Sequence, residues 1–238
     1  MEWFENWFDS PYYKILYQHR NEQEAQSFIN RLTQIIPLNH EDWILDLACG
    51  RGRHAKCIHE LGFSVIGIDL SQESILEAKK YENEHLQFFI QDMRNFSLPK
   101  NFQLILSLFT SFGYFEDTED NFRVLQSVYQ HLKPKGYFVL DFFNSEWVLN
   151  HLIEYEQKIL ENISFDIFKF IENQKIVKKI VINNEKTFYE KVSLFSSEDL
   201  ELMLKKTGFE IIHWWGEYDL TEFDKKRSSR CMFCVKIH

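Results

Sequence analysis

The sequence predicts an α/β fold in which a mostly parallel sheet carries a small antiparallel β insertion. Between residues 43 and 143, short apolar runs alternate with helical patterns, which is typical of βαβ units and a parallel sheet. From residue 163 to residue 195 the pattern becomes extended, partly alternating and rich in Ile, Val and Phe, which indicates antiparallel strands. The chain has no internal repeat and no long linker, so we expect one domain over residues 1–238.

Apolar runs of strand length are predicted to form the main sheet. Five of them alternate with helices and two follow the insertion, at residues 43–47, 63–69, 86–91, 102–108, 137–143, 209–218 and 231–237. The insertion itself is expected at about residues 162–195. Asn-containing turns at residues 172–174 and 183–184 would divide its strands.

Capping residues mark where the helices begin and end. One helix is predicted after Gly52 and another after Ser71, each with apolar side chains at helical spacing. The clearest helix has Thr118 as its predicted N-cap. A last helix begins near Ser196 with a capping box and ends before Gly208, which suits the left-handed position after a helix.

Composition and charge exclude several classes of protein. The chain is 45% hydrophobic and 16% aromatic, which is ample for a packed core. Its net charge of −9 disfavours nucleic acid as a partner. No apolar run is long enough to cross a bilayer, so no membrane partner is expected. The N-terminus has no signal-peptide pattern and four cysteines are too few for a disulfide scaffold, which together predict a cytoplasmic protein.

A glycine-containing turn follows the first predicted strand. In Asp46-Leu47-Ala48-Cys49-Gly50-Arg51-Gly52, the glycines permit positive φ and let a ligand lie against the backbone at a helix N-terminus. Asp69 ends the second strand, where a carboxylate can accept both ribose hydroxyls. Asp92 and Met93 end the third strand and could face an adenine. These tips share the carboxyl edge of the sheet, so we expect a nucleotide-containing ligand there.

Two cofactor classes fit this edge. Gly50-x-Gly52-x-x-Ala55 satisfies the dinucleotide fingerprint, which is compatible with an NAD(P)-dependent oxidoreductase. Against it, the Asp46 carboxylate would face a pyrophosphate unfavourably but could approach an ammonium, so the residues favour a cationic cofactor. A non-catalytic nucleotide-binding module is a third possibility.

Four segments together identify a family. They are Leu45-Asp46-Leu47-Ala48-Cys49-Gly50-Arg51-Gly52, Gly67-Ile68-Asp69-Leu70-Ser71, Gln91-Asp92-Met93-Arg94 and residues 104–114. In these segments the chain resembles the class I S-adenosylmethionine-dependent methyltransferases over about residues 43–238. The resemblance implies a Rossmann-like seven-stranded methyltransferase sheet whose last strand is antiparallel. Residues 49–54 and 109–114 further resemble bacterial small-molecule N- or O-methyltransferases, including amino-sugar and glycine or sarcosine methyltransferases.

The resemblance implies an enzyme that uses S-adenosyl-L-methionine and releases S-adenosyl-L-homocysteine while it methylates a nitrogen or oxygen of a small-molecule acceptor. Asp46 would hold the cofactor's ammonium and Asp69 its ribose. Leu70, with Asp92 and Met93, would contact the adenine. The implied cofactor-binding residues are Arg20, Asp46, Ala48, Gly50, Gly52, Asp69, Leu70, Asp92, Met93 and Leu108.

No catalytic residue is obligatory for this chemistry. Methyl transfer from a sulfonium needs the nucleophile held in line with the departing sulfur in a dry site. If a base takes a proton, the candidates are Tyr114, His213 and Glu217, although packing roles are favoured for the first two. Asn144 is a candidate for hydrogen bonding to the substrate. The substrate-pocket candidates are Tyr17, Phe109, Tyr114, Asn144 and Arg230.

Residues 1–36 are predicted to form a helical segment that acts either as a latch on the core or as a lid over the cofactor. Seven aromatic residues lie at positions 3 to 17, and the pairs Trp3/Trp7 and Phe4/Phe8 have helical spacing. As a lid, the segment would bring Tyr17 to the pocket and pair Arg20 with the carboxylate of the cofactor.

The C-terminal part contains a basic run and a cysteine pair. Residues 225–230 are either a solvated loop or, through Arg230, a binding site for an acidic substrate. Cys231 and Cys234 lie three apart in a predicted strand and therefore on opposite faces, so we expect core cysteines and no metal site.

Overall fold

The computed structural model describes residues 2–18 and 22–238. Its strands in chain order are β1 (Trp43–Leu47), β2 (Ser64–Asp69), β3 (Leu86–Ile90), β4 (Phe102–Ser107), β5 (Leu132–Phe143), β6 (Tyr155–Leu160), β7 (Ile163–Glu172), β8 (Lys175–Ile182), β9 (Lys186–Ser193), β10 (Glu210–Trp215) and β11 (Arg230–Lys236). Its helices are α1 (Trp3–Phe8), α2 (Pro11–Leu16), α3 (Glu22–Ile35), α4 (Arg53–Glu60), α5 (Gln72–Ala78), α6 (Thr118–His131), α7 (Ser145–Asn150) and α8 (Ser197–Thr207), with one short 3₁₀ turn at Lys79–Tyr81.

Within the described residues the central sheet has seven strands in the order β10-β11-β5-β4-β1-β2-β3. The pairs β1–β2, β1–β4, β2–β3 and β4–β5 are parallel. The last strand, β11, is antiparallel to both of its neighbours, β5 and β10. The predicted α/β fold with a Rossmann-like, mostly parallel sheet and an antiparallel last strand is confirmed.

Helices cover both faces of the central sheet. On one face α3, α4 and α5 bury apolar side chains such as Phe28, Ile58 and Ile75 against the strands. On the other face α6 and α8 contribute residues such as Leu125 and Leu204. Because both faces are covered, the parallel strands are almost continuously apolar, as their sequences indicate.

Helix ends follow local capping chemistry. Asp117, and not the predicted Thr118, caps α6: its carboxylate accepts a 2.9 Å hydrogen bond from the N–H of Glu119. Ser196 caps α8 in the predicted capping box, and Gly208 ends that helix at φ 105°. A carboxylate is as good a cap as a hydroxyl, so two adjacent capping residues could not be separated by type alone.

The insertion is an antiparallel sheet with the order β6-β7-β8-β9, four strands within the described chain. The two-residue turn at Asn173–Gln174 has positive φ at both residues, as a type I′ hairpin turn requires. Asn183 and Asn184 also have positive φ, in a three-residue loop between β8 and β9. The sheet begins at Tyr155, before the predicted start at residue 162. β6 mixes polar and apolar residues on each face and none of its residues is buried, so it has no clear apolar alternation to reveal it.

The N-terminal helices α1 and α2 pack between the central sheet and the insertion. Trp7 is fully buried with Phe165, Ile167 and Ile180 of the insertion. Trp3 donates from its indole to the carbonyl of Tyr114 at 3.3 Å. In the part of the chain that is described, no helix is both long and apolar enough to span a membrane.

Candidate active site

A cavity of about 680 Å³ opens at the carboxyl edge of the central sheet. The tips of β1 to β4 form its floor, and α1 and α2 close over it with side chains such as Phe4 and Tyr13. The volume lies within the range of small-molecule and cofactor sites, about 300 to 1,000 Å³. The predicted cofactor residues in its lining are Asp46, Ala48, Gly50, Asp69, Leu70, Met93 and Leu108.

Gly50 and Gly52, the two glycines of the first turn, have different structural roles. A Cβ added to Gly50 (φ 54°) would meet no atom of the described residues within 4 Å, so this position opens onto the cavity. A Cβ on Gly52 (φ 77°) would meet the ring of Phe88 at 2.6 Å. Gly52 is not among the described residues in the lining. It caps α4 in a left-handed conformation and lets the turn pack on β3.

Asp46 presents an unsatisfied carboxylate oxygen to the cavity. The residue is 1% exposed, and its Oδ2 has no hydrogen-bond partner among the described residues. Burial raises the pKa of Asp46 to about 7, and the nearby charge of Asp69 raises it further. A buried acceptor without a donor is costly, so this oxygen fits a ligand that brings a cation or a donor.

Asp69 ties two segments of the floor together. Its Oδ2 accepts from the N–H of Gly50 and its Oδ1 from the N–H of Ser71, both at 2.8 Å. Burial raises the pKa of Asp69 despite these hydrogen bonds. Each carboxylate oxygen can accept more than one hydrogen bond, so ribose hydroxyls can still be bound.

At the tip of β3, Asp92 is not among the described residues that line the cavity. Its carboxylate is held by Arg94, whose Nε lies 3.1 and 3.0 Å from the two oxygens and whose Nη2 lies 2.6 Å from one of them. Gln91 and Met93 line the cavity instead. Alternate residues of an extended chain point to the same side, which is the signal that could have paired Gln91 with Met93.

A smaller cavity of about 240 Å³ adjoins the first. Arg230 and residues of the insertion, among them Lys169, Lys178 and Glu190, line it. The predicted substrate residues Tyr17, Phe109 and Tyr114 line both cavities, as do Phe8 and Tyr13. The predicted Arg20 lies outside the described residues.

Asn144 is not among the described residues that line either cavity, so its contact with substrate stays a prediction. Its Nδ2 donates to the carbonyls of Lys225 and Ser228, both at 2.8 Å, and its Oδ1 accepts from the N–H of Glu146. Asn144 therefore caps α7 and holds the basic loop.

Two of the proposed bases also lie elsewhere. Glu217 accepts from the N–H and the hydroxyl of Ser229, at 2.6 and 2.8 Å. His213 stacks on Trp215, 5.0 Å between ring centroids, on β10. Neither is found in the described lining of the two cavities, so Tyr114 is the one candidate that the structure brings to both.

Asp141, near the end of β5, was missed by the sequence analysis. It is fully buried and accepts hydrogen bonds from the N–H of Phe109 at 2.6 Å and the hydroxyl of Tyr218 at 3.0 Å. Arg230 donates to it from Nε and Nη2 at 2.8 and 2.6 Å. A lone carboxylate inside an otherwise apolar strand was the available signal, because buried charges need partners.

Asp141 fixes the wall between the cavities. Phe109 and Thr110, just past β4, have φ of 57° and 61°, a left-handed conformation that is unusual for two successive residues other than glycine. The Phe109 ring stacks between His54 and Tyr218, each at 5.0 Å between centroids. Burial and the charge of Asp141 raise the pKa of Tyr218, which keeps its hydroxyl protonated as a donor.

Glu190 connects the N-terminal helices to the insertion. It accepts from the indole of Trp7 at 2.7 Å, from the hydroxyl of Tyr17 at 2.6 Å and from the ammonium of Lys178 at 2.7 Å. Burial acts to raise the pKa of Glu190, but the Lys178 charge and these hydrogen bonds outweigh it and hold the pKa below its usual value.

The remaining sequence candidates are structural. Cys231 and Cys234 are buried free thiols, and burial raises the pKa of each to about 12. Among residues 2–18 and 22–238, no three His, Cys, Asp or Glu side chains are grouped to hold a metal ion. Lys225 of the basic loop pairs with Glu198 on the surface.

Comparison with known proteins agrees with this geometry. A family model described as a methyltransferase domain matches residues 17–214. A putative methyltransferase of Bacillus subtilis is 27% identical over 213 residues, which cover 80% of this chain and 82% of that protein. A dTDP-3-amino-3,4,6-trideoxy-α-D-glucopyranose N,N-dimethyltransferase of Streptomyces venezuelae is 27% identical over 130 residues, 52% of this chain and 54% of that protein.

The fold has a close counterpart among solved structures. The crystal structure of an S-adenosylmethionine-dependent methyltransferase from Clostridium acetobutylicum superimposes with a TM-score of 0.81 at 22% identity, covering 95% of this chain and 96% of that one. The chain belongs to the methyltransferase domain family. It is an S-adenosylmethionine-dependent methyltransferase, and these comparisons give no support to an oxidoreductase.

Proposed function

We propose that the enzyme transfers the methyl group of S-adenosylmethionine to a nitrogen of a small-molecule amine. The observation that carries this proposal is the smaller cavity, which lies beside the larger cavity. The two cavities share a wall of aromatic residues. The Streptomyces venezuelae relative is named as a dimethyltransferase of an amino sugar, which supports transfer to nitrogen.

The residues present in the larger cavity fit the cofactor. The unsatisfied oxygen of Asp46 would accept from its ammonium, and Asp69 would bind its ribose hydroxyls. Leu70, Gln91 and Met93 would enclose its adenine. When bound, S-adenosylmethionine supplies an electrophilic methyl group on a sulfonium.

The shared wall would orient the acceptor and exclude water. Tyr17 and Tyr114 contribute aromatic rings to this wall, and aromatic rings attract cations, which favours a sulfonium beside them. The faces of Phe109 are covered by His54 and Tyr218. As the nitrogen lone pair bonds to the methyl carbon, the carbon–sulfur bond breaks with its electron pair remaining on sulfur. The nitrogen then loses one proton to water, which leaves a neutral methylated amine.

The chemistry of the smaller cavity favours nitrogen over oxygen. A hydroxyl acceptor needs a base, and Glu190 is the one carboxylate in the described lining of this cavity. Three hydrogen bonds and a lowered pKa make it a poor base. A neutral amine already has a lone pair and needs no base before attack.

We further infer that α1, α2 and the insertion act together as a cover over both cavities, within one methyltransferase domain. Trp3 and Trp7 anchor the helices to the wall and to the insertion, through hydrogen bonds to Tyr114 and Glu190. A cytoplasmic location and a small-molecule acceptor, with no role for nucleic acid, remain our expectations from sequence and charge.

Thermal unfolding in the presence of S-adenosylmethionine, S-adenosylhomocysteine, NAD and NADP tests the cofactor site. A ligand at about 100 times its Kd adds roughly 2.7 kcal/mol, a shift of about 5 to 11 °C for a domain of this size. We expect the shift with the two adenosyl compounds alone. Mass spectrometry of amine and matched alcohol acceptors then tests nitrogen transfer, and methylation of the alcohols alone would contradict the proposal.

A further inference from the structure

The smaller cavity is lined by more cations than anions. Within the described residues its lining contains three cationic side chains, Lys169, Lys178 and Arg230, and one carboxylate, Glu190. Glu190 is already engaged by an indole, a phenol and an ammonium. An occupant of this cavity therefore meets hydrogen-bond donors for which the protein offers few acceptors.

Two of these cations form ion pairs with carboxylates outside the described cavity lining. Arg230 pairs with Asp141 at 2.6 Å, and Lys169 pairs with Glu156 at 2.7 Å. Neither carboxylate is part of the described lining. Each ion pair is neutral as a unit but points its positive end into the cavity, so the local potential there is positive.

Arg230 has donors left for a ligand. Its Nε and Nη2 are occupied by Asp141, and Nη2 also donates to the hydroxyl of Thr110 at 2.8 Å. Its Nη1 makes no hydrogen bond to any described residue. Burial acts to lower the pKa of Arg230, but the Asp141 carboxylate outweighs it and the pKa is raised, so the guanidinium stays charged. The Arg230 side chain is 17% exposed, and a largely buried cation with unused donors favours an anionic acceptor group.

We propose that the methyl acceptor is an amine that also carries an acidic group, a carboxylate or a phosphate, and that Arg230 binds this group in the smaller cavity. The inference rests on the proposed function. Asp141 connects the two parts of the site that such an acceptor would contact. It binds Arg230, which would hold the acidic group, and the backbone of Phe109 on the shared wall. The cavity volume of about 240 Å³ restricts this acceptor to a small molecule.

Matched amine pairs test the proposal. β-Alanine is compared with 3-amino-1-propanol, and phosphoethanolamine with ethanolamine, first for binding to the S-adenosylhomocysteine complex by calorimetry and then for methyl transfer. We expect the acid-bearing member of at least one pair to bind at least tenfold more tightly. The pair with the larger ratio distinguishes carboxylate from phosphate, and equal binding within both pairs overturns the proposal.

Variants of two arginines in one basic run localise the effect. Arg230→Lys keeps the charge beside Asp141 but loses the planar edge, so the acid preference should fall about tenfold with cofactor affinity unchanged. The matched control is Arg227→Gln, because the Arg227 side chain is 88% exposed, and it should change neither property. Full acid preference in a folded Arg230→Lys protein overturns the assignment.

A variant outside β11 keeps the proposal falsifiable if Arg230 proves essential for folding. Lys169→Met removes one cation from the lining of the smaller cavity, so the preference for acid-bearing amines should fall several-fold. An unchanged preference would contradict a positive potential in this cavity. Acid binding that depends on Arg230 or Lys169 without methylation of any amine would support this inference while it contradicts the proposed function.

Discussion

The backbone N–H of Phe109 donates a 2.6 Å hydrogen bond to the carboxylate of Asp141, which is fully buried. Together with the 3.2 Å hydrogen bond from the N–H of Thr110 to the carbonyl of Asp141, this contact ties the turn just past β4 to β5 where the two cavities meet. It also stabilises the left-handed backbone conformation of Phe109 and Thr110, which residues other than glycine do not favour.

Asp141→Asn should therefore impair both stability and turnover. Removing one charge from the buried pair with Arg230 should cost roughly 3 kcal/mol of unfolding free energy. The KM for the acceptor should rise more than the KM for the cofactor. Phe109 lines both cavities, but Arg230, which also loses its partner, lines only the smaller cavity. Denaturant unfolding and steady-state kinetics measure the two effects.

A second ion pair, in which Asp42 is buried but the Lys133 side chain is 38% exposed, gives a control for Asp141. Asp42 pairs with Lys133 at 2.9 Å, at the opposite end of the sheet. Asp42→Asn should lower stability without changing either KM. Adding Thr110→Gly to Asp141→Asn should restore part of the activity, since glycine adopts positive φ without strain; no rescue would mean that the turn is not what Asp141 supports.

Cofactor binding should depend on pH through Asp46. Its pKa is raised to about 7 by burial, and an ammonium ligand binds the ionised form better, so affinity for S-adenosylmethionine should fall as pH drops below about 7. Asp46→Asn should bind more weakly by about 1.5 to 3 kcal/mol and lose this dependence. Calorimetry from pH 5.5 to 8.5 measures it, and a slope that survives in the variant would implicate Asp69 instead.

The same pKa has an opposite effect on the protein without ligand. The folded pKa of Asp46 is higher than its unfolded pKa, so the folded state holds the extra proton and stability falls as pH rises from about 4 towards 7. Above pH 7 the Asp46→Asn protein should melt at a higher temperature than the wild type. Equal melting temperatures across this range would show that Asp46 is ionised at little cost.

The two glycines of the first turn should respond differently to alanine. Gly52→Ala places a Cβ 2.6 Å from Phe88 and should cost roughly 2 to 4 kcal/mol of stability, from packing and from positive φ. Gly50→Ala meets no described atom and should cost about 1 to 2 kcal/mol, but its methyl enters the cavity and should weaken cofactor binding. If Gly50→Ala binds the cofactor normally, the turn does not contact it.

Most of the fold could be predicted, and so could the grouping of seven cofactor candidates around the larger cavity, because their signals are local. Strand periodicity, the Ser196 capping box and the turn at Gly50 are each contained in a few neighbouring residues. Asn144 is held away from the cavities by partners far along the chain, Lys225 and Ser228, at separations of 81 and 84 residues, and one sequence does not reveal such pairings. Asp92 is held by Arg94, only two residues away, and β6 mixes polar and apolar residues on each face, so neither has a clear pattern.

The closure of the N-terminal helices should depend on Glu190. Tyr17→Phe removes one of its three donors, so hydrogen exchange of residues 2–17 should become faster by about tenfold, as expected for the loss of a hydrogen bond to a charged group. Tyr12→Phe is the matched control, because among the described residues the Tyr12 hydroxyl bonds only to the exposed Lys186, at 3.3 Å. Equal exchange in the two variants would contradict a latch at Glu190.

The distance along the chain between Trp7 and Glu190, 183 residues, also dictates the order of assembly. During synthesis α1 and α2 are made well before β9, the strand that receives Trp7. The aromatic side chains of α1 and α2 therefore stay exposed, and prone to aggregation, until β9 has been translated. A ribosome-bound chain stopped before β9 should need a chaperone that the finished enzyme does not.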